Sequence, residues 1–374
     1  MIEVSAHDRA NSRVRRPETE EPNDPRPLAG IACCMGLPER EEPGPPLEEE
    51  LPPGYLLDGR FLLRRAIGRS GMATIYKAED HVGGRDVAVK IPLMRVESDP
   101  VSFGRFEREA RIGSALNDPL LLRFIPVDVP KSRPFIVTEL LDGCTLAMVI
   151  HRTRPVPERD ALRIASVVCQ ALGKLHDRGI IHRDLKPANI MICRDQRLCL
   201  MDFGLAAEVD TRSSLLAGLT PLFGTPEYMA PEQVRNKRND ERTDIYGLGV
   251  ILYQMLTGVL PFPGDDPWAA AQLRVSGDPA APRSINPEIS PEAEEIVLRA
   301  MQRKPADRYQ SVAAFQAELD APERVRVTGL SERLMKPRWR LSLQGTPFLA
   351  GSIIGVGFLL FLVAVFLLLA HPRR

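Results

Sequence analysis

The sequence predicts an α+β fold of two unequal lobes, followed by one C-terminal membrane-spanning helix. Three observations predict it. Residues 61–140 set short β-type runs around a single helix-like stretch, whereas residues 160–320 are mainly helical. Residues 348–370 run 23 positions without a charge. The whole chain has 374 residues, 44% of them hydrophobic, which is enough apolar material for a sizeable core and excludes wholesale disorder.

The first element is a tail. Residues 1–54 carry 6 basic against 12 acidic side chains and ten prolines. Few large apolar groups are present to offset the entropy of ordering, so a disordered, acidic, Pro-rich segment is expected over 1–54. Lys+Arg and Asp+Glu both number 49 over the full chain, giving a formal net charge of zero. No basic excess points to a nucleic-acid partner, and none is expected. Six cysteines show neither a CxxC pair nor zinc spacing, which predicts reduced thiols rather than a disulfide framework.

The β-type runs of the small lobe fall at 61–67, 74–78, 87–91 and 135–138, and the helix-like stretch at 103–116. Between the first two runs lies Ile67-Gly68-Arg69-Ser70-Gly71-Met72-Ala73-Thr74-Ile75. It reads as a tight turn whose small residues let backbone N–H groups approach phosphate oxygens. The third run holds Val87-Ala88-Val89-Lys90, and the helix carries Glu109, a charge partner for Lys90. In the large lobe, His182-Arg183-Asp184-Leu185-Lys186-Pro187-Ala188-Asn189 is followed by Asp202-Phe203-Gly204 and by Ala230-Pro231-Glu232.

These five motifs, in this order, resemble those of the eukaryotic-like (Hanks-type) serine/threonine protein kinases of bacteria. The resemblance covers residues 59–320 and extends to Gly224-Thr225-Pro226-Glu227, Asp244-Ile245-Tyr246-Gly247 and Lys304-Pro305-Ala306-Asp307-Arg308. It implies a bilobal protein kinase fold, with a kinase domain over 55–320 that binds ATP and Mg²⁺, or Mn²⁺ in its place. By resemblance, residues 67–75 cover the phosphates, Lys90 holds them and Glu109 orients Lys90. Glu139 and Leu141 flank Leu140 in the hinge that takes adenine, with Thr138 at the gatekeeper position. Asp184 accepts or orients the proton of the substrate hydroxyl, and Lys186 steadies the γ-phosphate. Asn189 and Asp202 are the metal ligands, and hard oxygen donors suit Mg²⁺. Lys186 and Thr225 favour protein Ser/Thr substrates. Glu232 is expected to pair with Arg308, and Asp244 to brace the catalytic loop.

Arg183 before Asp184 implies control by a loop phosphate, with Thr211 and Thr220 ahead of Ser213 and Ser214 as the sites. The glycine turn departs from the family pattern: Ser70 replaces the second glycine and Ala73 the third. Slower nucleotide turnover is the expected effect. Two rival readings follow. One is a membrane-anchored pseudokinase scaffold, against which stand Lys90, Glu109, Asp184, Asn189 and Asp202. The other is a small-molecule kinase, against which stand Lys186 and the intact Ala-Pro-Glu segment. Homodimers occur among relatives and are possible here.

The last elements concern a membrane. At about 1.5 Å rise per residue, a helix over 347–370 spans a hydrocarbon core of about 30 Å. Arg324, Arg326, Arg333, Lys336, Arg338 and Arg340 precede it, and only Arg373 and Arg374 follow. That excess predicts a basic juxtamembrane linker over 321–346, a cytoplasmic kinase domain at the inner (cell) membrane and a short external tail at 371–374.

Overall fold

Alternating burial builds the small lobe from strands β1 (Leu56–Leu57), β2 (Phe61–Arg69), β3 (Ala73–Asp80), β4 (Arg85–Pro92) and β5 (Ile136–Glu139). They pair antiparallel in sequence order, with Gly68 opposite Ile75, Ile75 opposite Lys90, and Ala88 opposite Thr138. Register shifts between Leu63 and Arg65 and between Ala66 and Gly68 mark bulges, which raise the twist of β2 as it enters the glycine turn. Phe61, Leu63, Tyr76, Val87, Val89 and Phe135 form the core of this lobe. The computed structural model describes residues 50–208, 225–237, 239–262 and 267–334.

Helices α1 (Met94–Glu97) and α2 (Pro100–Ser114) follow β4. The second begins three residues before the expected 103, because Asp99 caps it by accepting the Ser102 N–H at 3.0 Å and Pro100 takes the first helical position. Glu109 lies on its buried side. Gly113 lets the Phe124 ring lie directly against the helix; a Cβ there would overlap the ring.

The large lobe contains α3 (Leu146–Arg152), α4 (Glu158–His176), α5 (Pro231–Val234), α6 (Arg242–Thr257), α7 (Pro267–Ser276), α8 (Pro291–Ala300) and α9 (Val312–Asp320). Ile245, Leu248, Val250, Ile251 and Leu252 of α6 have 0% exposure, so this helix is buried on nearly all sides and forms the lobe's axis. Short strands position the site. β6 (Gly143–Thr145), β8 (Ile190–Cys193) and β9 (Leu198–Leu200) form one small sheet, and β7 (Ile180–Ile181) pairs with β10 (Ala207–Glu208).

The packed body runs past both expected domain limits. At the start, Leu51 packs on the sheet core and Glu50 pairs with Arg69. At the end, Glu295 of α8 accepts the Thr328 hydroxyl and the Leu330 N–H, at 2.5 and 3.2 Å. Residues 1–49, the segment with Thr211, Ser213, Ser214 and Thr220, and residues 335–374 with the expected span lie outside the described residues. Among the described residues no helix is long and apolar enough to cross a membrane. Among the described residues Cys144, Cys169, Cys193 and Cys199 are buried and form no disulfide.

Candidate active site

Two pairings of short strands bring the chemistry together. In the β8–β9 hairpin Ile190 faces Leu200, so Asn189 just before the hairpin meets Met201 just after it. The Met201 N–H donates to the Asn189 carbonyl at 2.8 Å, setting Asp202 beside Asn189. In the β7–β10 pair Ile181 faces Ala207, which ties the start of the 182–189 loop to the end of the 202–206 segment.

Asp244 of α6 holds the 182–189 loop. Its Oδ2 accepts the His182 N–H at 2.9 Å and its Oδ1 the Arg183 N–H at 2.9 Å. His176 Nε2, at 2.8 Å, is its third partner. Burial pushes the Asp244 carboxyl up, but the His176 bond and charge outweigh it and hold the group below the ordinary value. Arg183 takes φ of 66°, a left-handed conformation that costs a long side chain about 1–2 kcal/mol. The carboxylate on its N–H and Gln233 Nε2 on its carbonyl, at 2.8 Å, fix it there.

Asp184 projects from this loop with three partners. Lys186 Nζ lies 2.9 Å from its Oδ2, the Thr225 N–H 3.2 Å from its Oδ1, and Asn189 Nδ2 3.4 Å from Oδ2. Asn189 Nδ2 also donates to the Asp184 carbonyl at 2.9 Å, which leaves the amide oxygen as the acceptor for a cation. A cavity lined by Arg183, Asp184, Thr225, Tyr228, Met229 and Gln233 adjoins the loop.

Across the cleft, Lys90 Nζ sits 2.7 Å from both oxygens of Glu109. Burial pulls the Lys90 ammonium down, but the Glu109 and Asp202 carboxylates outweigh it and hold its pKa above the usual lysine value. Burial pushes the Asp202 carboxyl up, and Lys90 with the Gly204 N–H overrides that and keeps it low. The Gly204 N–H donates to Asp202 Oδ1 at 3.2 Å, and a Cβ on Gly204 would lie 3.3 Å from that oxygen and 3.5 Å from Glu109 Oε2. Phe203, fully buried, packs 6.0 Å from the His182 ring and 6.2 Å from the Phe124 ring. Asp202 is thus held with its side chain toward Lys90. A carboxylate and an amide oxygen are hard donors that fit a divalent cation such as Mg²⁺. Among the described residues no group of three or more His, Cys, Asp or Glu side chains is placed to hold a metal ion.

The remaining expected site residues divide. Ile67 and Thr74 are buried in β2 and β3, and Ile75 packs on Gly68. Gly71 and Met72 form the tip of the turn, their carbonyls held by Arg95 Nη2 and the Leu93 N–H at 3.0 Å each. Ser70 and Ala73 close it by hydrogen bonds to one another. Arg69 turns its guanidinium to Glu50. The Glu139 carboxylate is taken by Arg197 Nη2 at 3.1 Å and the Arg123 N–H at 3.1 Å, its own N–H donates to the Arg123 carbonyl at 3.0 Å, and its carbonyl accepts the Thr138 hydroxyl at 3.2 Å. Leu141 is buried against Met191, Cys193 and Cys199.

Sequence reading missed His176, Arg197 and Met191. His176 is 68 residues from its partner Asp244, and no local pattern marks either Arg197 or Met191. Glu232 and Arg308 do pair, through bonds of 2.7 and 2.8 Å.

Comparison with known proteins gives the same picture. The protein kinase domain model matches residues 61–319. The chain is 38% identical over 291 residues to the serine/threonine-protein kinase PknB of Mycolicibacterium smegmatis, covering 75% of this chain and 46% of that protein. It is 36% identical over 291 residues to PknB of Mycobacterium tuberculosis, with the same coverage. A probable serine/threonine-protein kinase of Streptomyces coelicolor is 38% identical over 269 residues, covering 71% of this chain and 40% of the relative. The chain therefore spans about half the length of the curated relatives it matches. With a domain match across most of its length and the motif residues gathered around one cleft, the chain belongs to the protein kinase family.

Proposed function

We propose that the chain is a serine/threonine protein kinase that transfers the γ-phosphate of ATP to protein hydroxyls and to its own loop. The observation that carries this is the convergence of Asp184, Lys186 and Asn189 on one side of the cleft with Asp202 and the Lys90–Glu109 pair on the other. Phosphoryl transfer needs alignment and charge neutralisation more than covalent catalysis. Lys90, fixed by two short bonds, presents a constant positive charge to the phosphates. Lys186 neutralises charge on the γ-phosphate. Asp184 holds the incoming hydroxyl and takes its proton as the new O–P bond forms and the bond to the β-phosphate bridging oxygen breaks, releasing ADP. A bound Mg²⁺ would supply charge neutralisation on the phosphate oxygens, held by Asp202 and the Asn189 amide oxygen; Mn²⁺ has the same donor preference.

Lys186, on the Asp184 carboxylate, and Thr225, whose N–H donates to it, support Ser/Thr protein substrates. Autophosphorylation at Thr211 or Thr220 is supported by Arg183, whose buried Nε has no hydrogen-bond partner among the described residues. The uncharged 347–370 segment with basic residues before it supports an inner-membrane anchor and a cytoplasmic kinase domain. Self-association as a homodimer belongs to the same reading.

The test incubates the full chain with Mg-ATP and a generic protein substrate, beside Asp184→Asn, and maps phosphosites by mass spectrometry. Phosphoserine and phosphothreonine that vanish in the variant are expected. No phosphotransfer by the parent would favour the scaffold reading. Equal activity in Asp184→Asn would overturn the mechanism. Protease added outside intact cells should spare residues 1–340.

A further inference from the structure

The turn over the cleft closes on a side chain. Ser70 stands in place of a family glycine, yet it is not among the described residues with positive φ, so its Cβ causes no backbone strain. Its Oγ accepts the Met72 N–H at 3.3 Å and the Ala73 N–H at 3.1 Å. The same hydroxyl donates to the Ala73 carbonyl at 3.1 Å, and the Ser70 N–H reaches that carbonyl at 3.0 Å. Both lone pairs and the proton of the hydroxyl are therefore engaged within the turn. The turn is also pinned from outside, by Arg95 on the Gly71 carbonyl and Leu93 on the Met72 carbonyl, at 3.0 Å each.

Successive backbone N–H groups in a tight turn form a concavity for anions. Here two of those donors already face an oxygen, and it belongs to the protein. We propose that the Ser70 hydroxyl is an internal occupant of the phosphate-binding N–H groups, which a nucleotide phosphate must displace, so that Ser70 lowers affinity for nucleotide phosphates. This rests on the nucleotide-binding reading above and adds a positioning residue to it.

The exchange favours the ligand. A charged phosphate oxygen makes hydrogen bonds roughly twice as strong as a neutral hydroxyl does. The protein nevertheless loses the bonds it starts with, and the ligand's apparent affinity falls by that amount. An alanine at 70 keeps the Cβ and removes the competitor. A glycine removes both, and a threonine keeps the hydroxyl.

The experiment measures binding of ATP, ADP and adenosine to the full chain by calorimetry. Ser70→Ala should lower the Kd for ATP and ADP by about three- to tenfold, the worth of a typical hydrogen bond. Adenosine, which has no phosphate, should bind unchanged. Ser70→Gly should move the same way, and Ser70→Thr should stay near the parent. The contrast between ATP and adenosine separates displacement from a structural role, which would move both ligands together. An unmoved ATP-to-adenosine ratio in Ser70→Ala and Ser70→Gly, or weaker ATP binding in both, would overturn the role of Ser70 alone. No binding of ATP or adenosine to the parent would overturn the nucleotide reading and this inference together.

Discussion

The Asp244 carboxylate on α6 reaches 61 residues back along the chain and takes the Arg183 N–H at 2.9 Å. One buried charge in the helical core thereby sets the backbone of the residue that precedes Asp184. The loop that presents the proposed proton acceptor is rigid because its support is the most buried helix of the lobe.

Removing that charge should be costly. Asp244→Asn removes the nearer of the two carboxylates facing His176 and weakens two backbone bonds. Breaking one member of a buried pair costs about 3–5 kcal/mol. Urea unfolding of the full chain should give a lower midpoint, and phosphotransfer should fall with it.

The pair also predicts a pH dependence. Burial pulls the His176 imidazole down, but Asp244 and then Glu241 outweigh it and raise its pKa above the usual 6.5. A raised folded value means the stabilisation is fully present below the usual 6.5 and is lost as pH rises through the folded value. Asp244, held low, contributes above its usual 3.8 and loses that contribution as pH falls through its folded value. The difference in unfolding free energy between the parent and His176→Gln should shrink as pH rises from about 6 to about 9. A difference constant across that range would contradict it.

Two glycines of α2 should respond oppositely to alanine. At Gly113 a Cβ overlaps the Phe124 ring, and overpacking costs about 1–3 kcal/mol. The shift would also carry Glu109 off Lys90 and reduce activity. At Gly104 a Cβ meets nothing within 4 Å, so Gly104→Ala should stabilise by about 0.5–1 kcal/mol through helix propensity. Thermal unfolding of the two variants distinguishes the cases.

Arg308 cannot be exchanged conservatively. Its guanidinium bonds both oxygens of Glu232 and the carbonyls of Arg242, Gln302 and Arg303. Lysine offers three donors from one point instead of five in a planar fork. Arg308→Lys should lose about 2–3 kcal/mol, one or two charged hydrogen bonds, in denaturant titration.

Asp202→Asn should keep the fold and lose the metal. Changing even an outer partner of a metal site costs about 10–100-fold in affinity, and a direct ligand should cost no less. The Mg²⁺ needed for half-maximal activity should rise accordingly, with adenosine affinity unchanged.

Much of this was legible in the residues, and for identifiable reasons. The strands at 61–67 and 87–91 carry enough β-branched and alternating apolar positions to be seen, as does the β8 stretch at 190–193. β1, β7 and β10 have two residues each, too few for any period, and exist only through their partners. The Lys90–Glu109 and Glu232–Arg308 pairs followed from motif residues. Long-range partners without a motif did not, as with His176 beneath Asp244, Arg197 on Glu139, and Phe124 against Gly113. The hydrogen bonds of Ser70 were illegible for another reason: a missing glycine shows in sequence only as a loss, whereas the hydroxyl replacing it makes bonds of its own.

The left-handed backbone at Asp202, φ 65°, restricts which residues can stand there independently of the metal. Asn and Asp enter that region more readily than other non-glycine residues because their short side chains bond locally. Glutamate would bring the same two oxygens on a longer stem and a larger conformational penalty. Asn and Glu at this position would therefore rank in opposite orders, Asn better for folding and Glu better for charge. Aspartate alone satisfies both demands, so the requirement for it comes from the main chain as much as from the chemistry of the cleft.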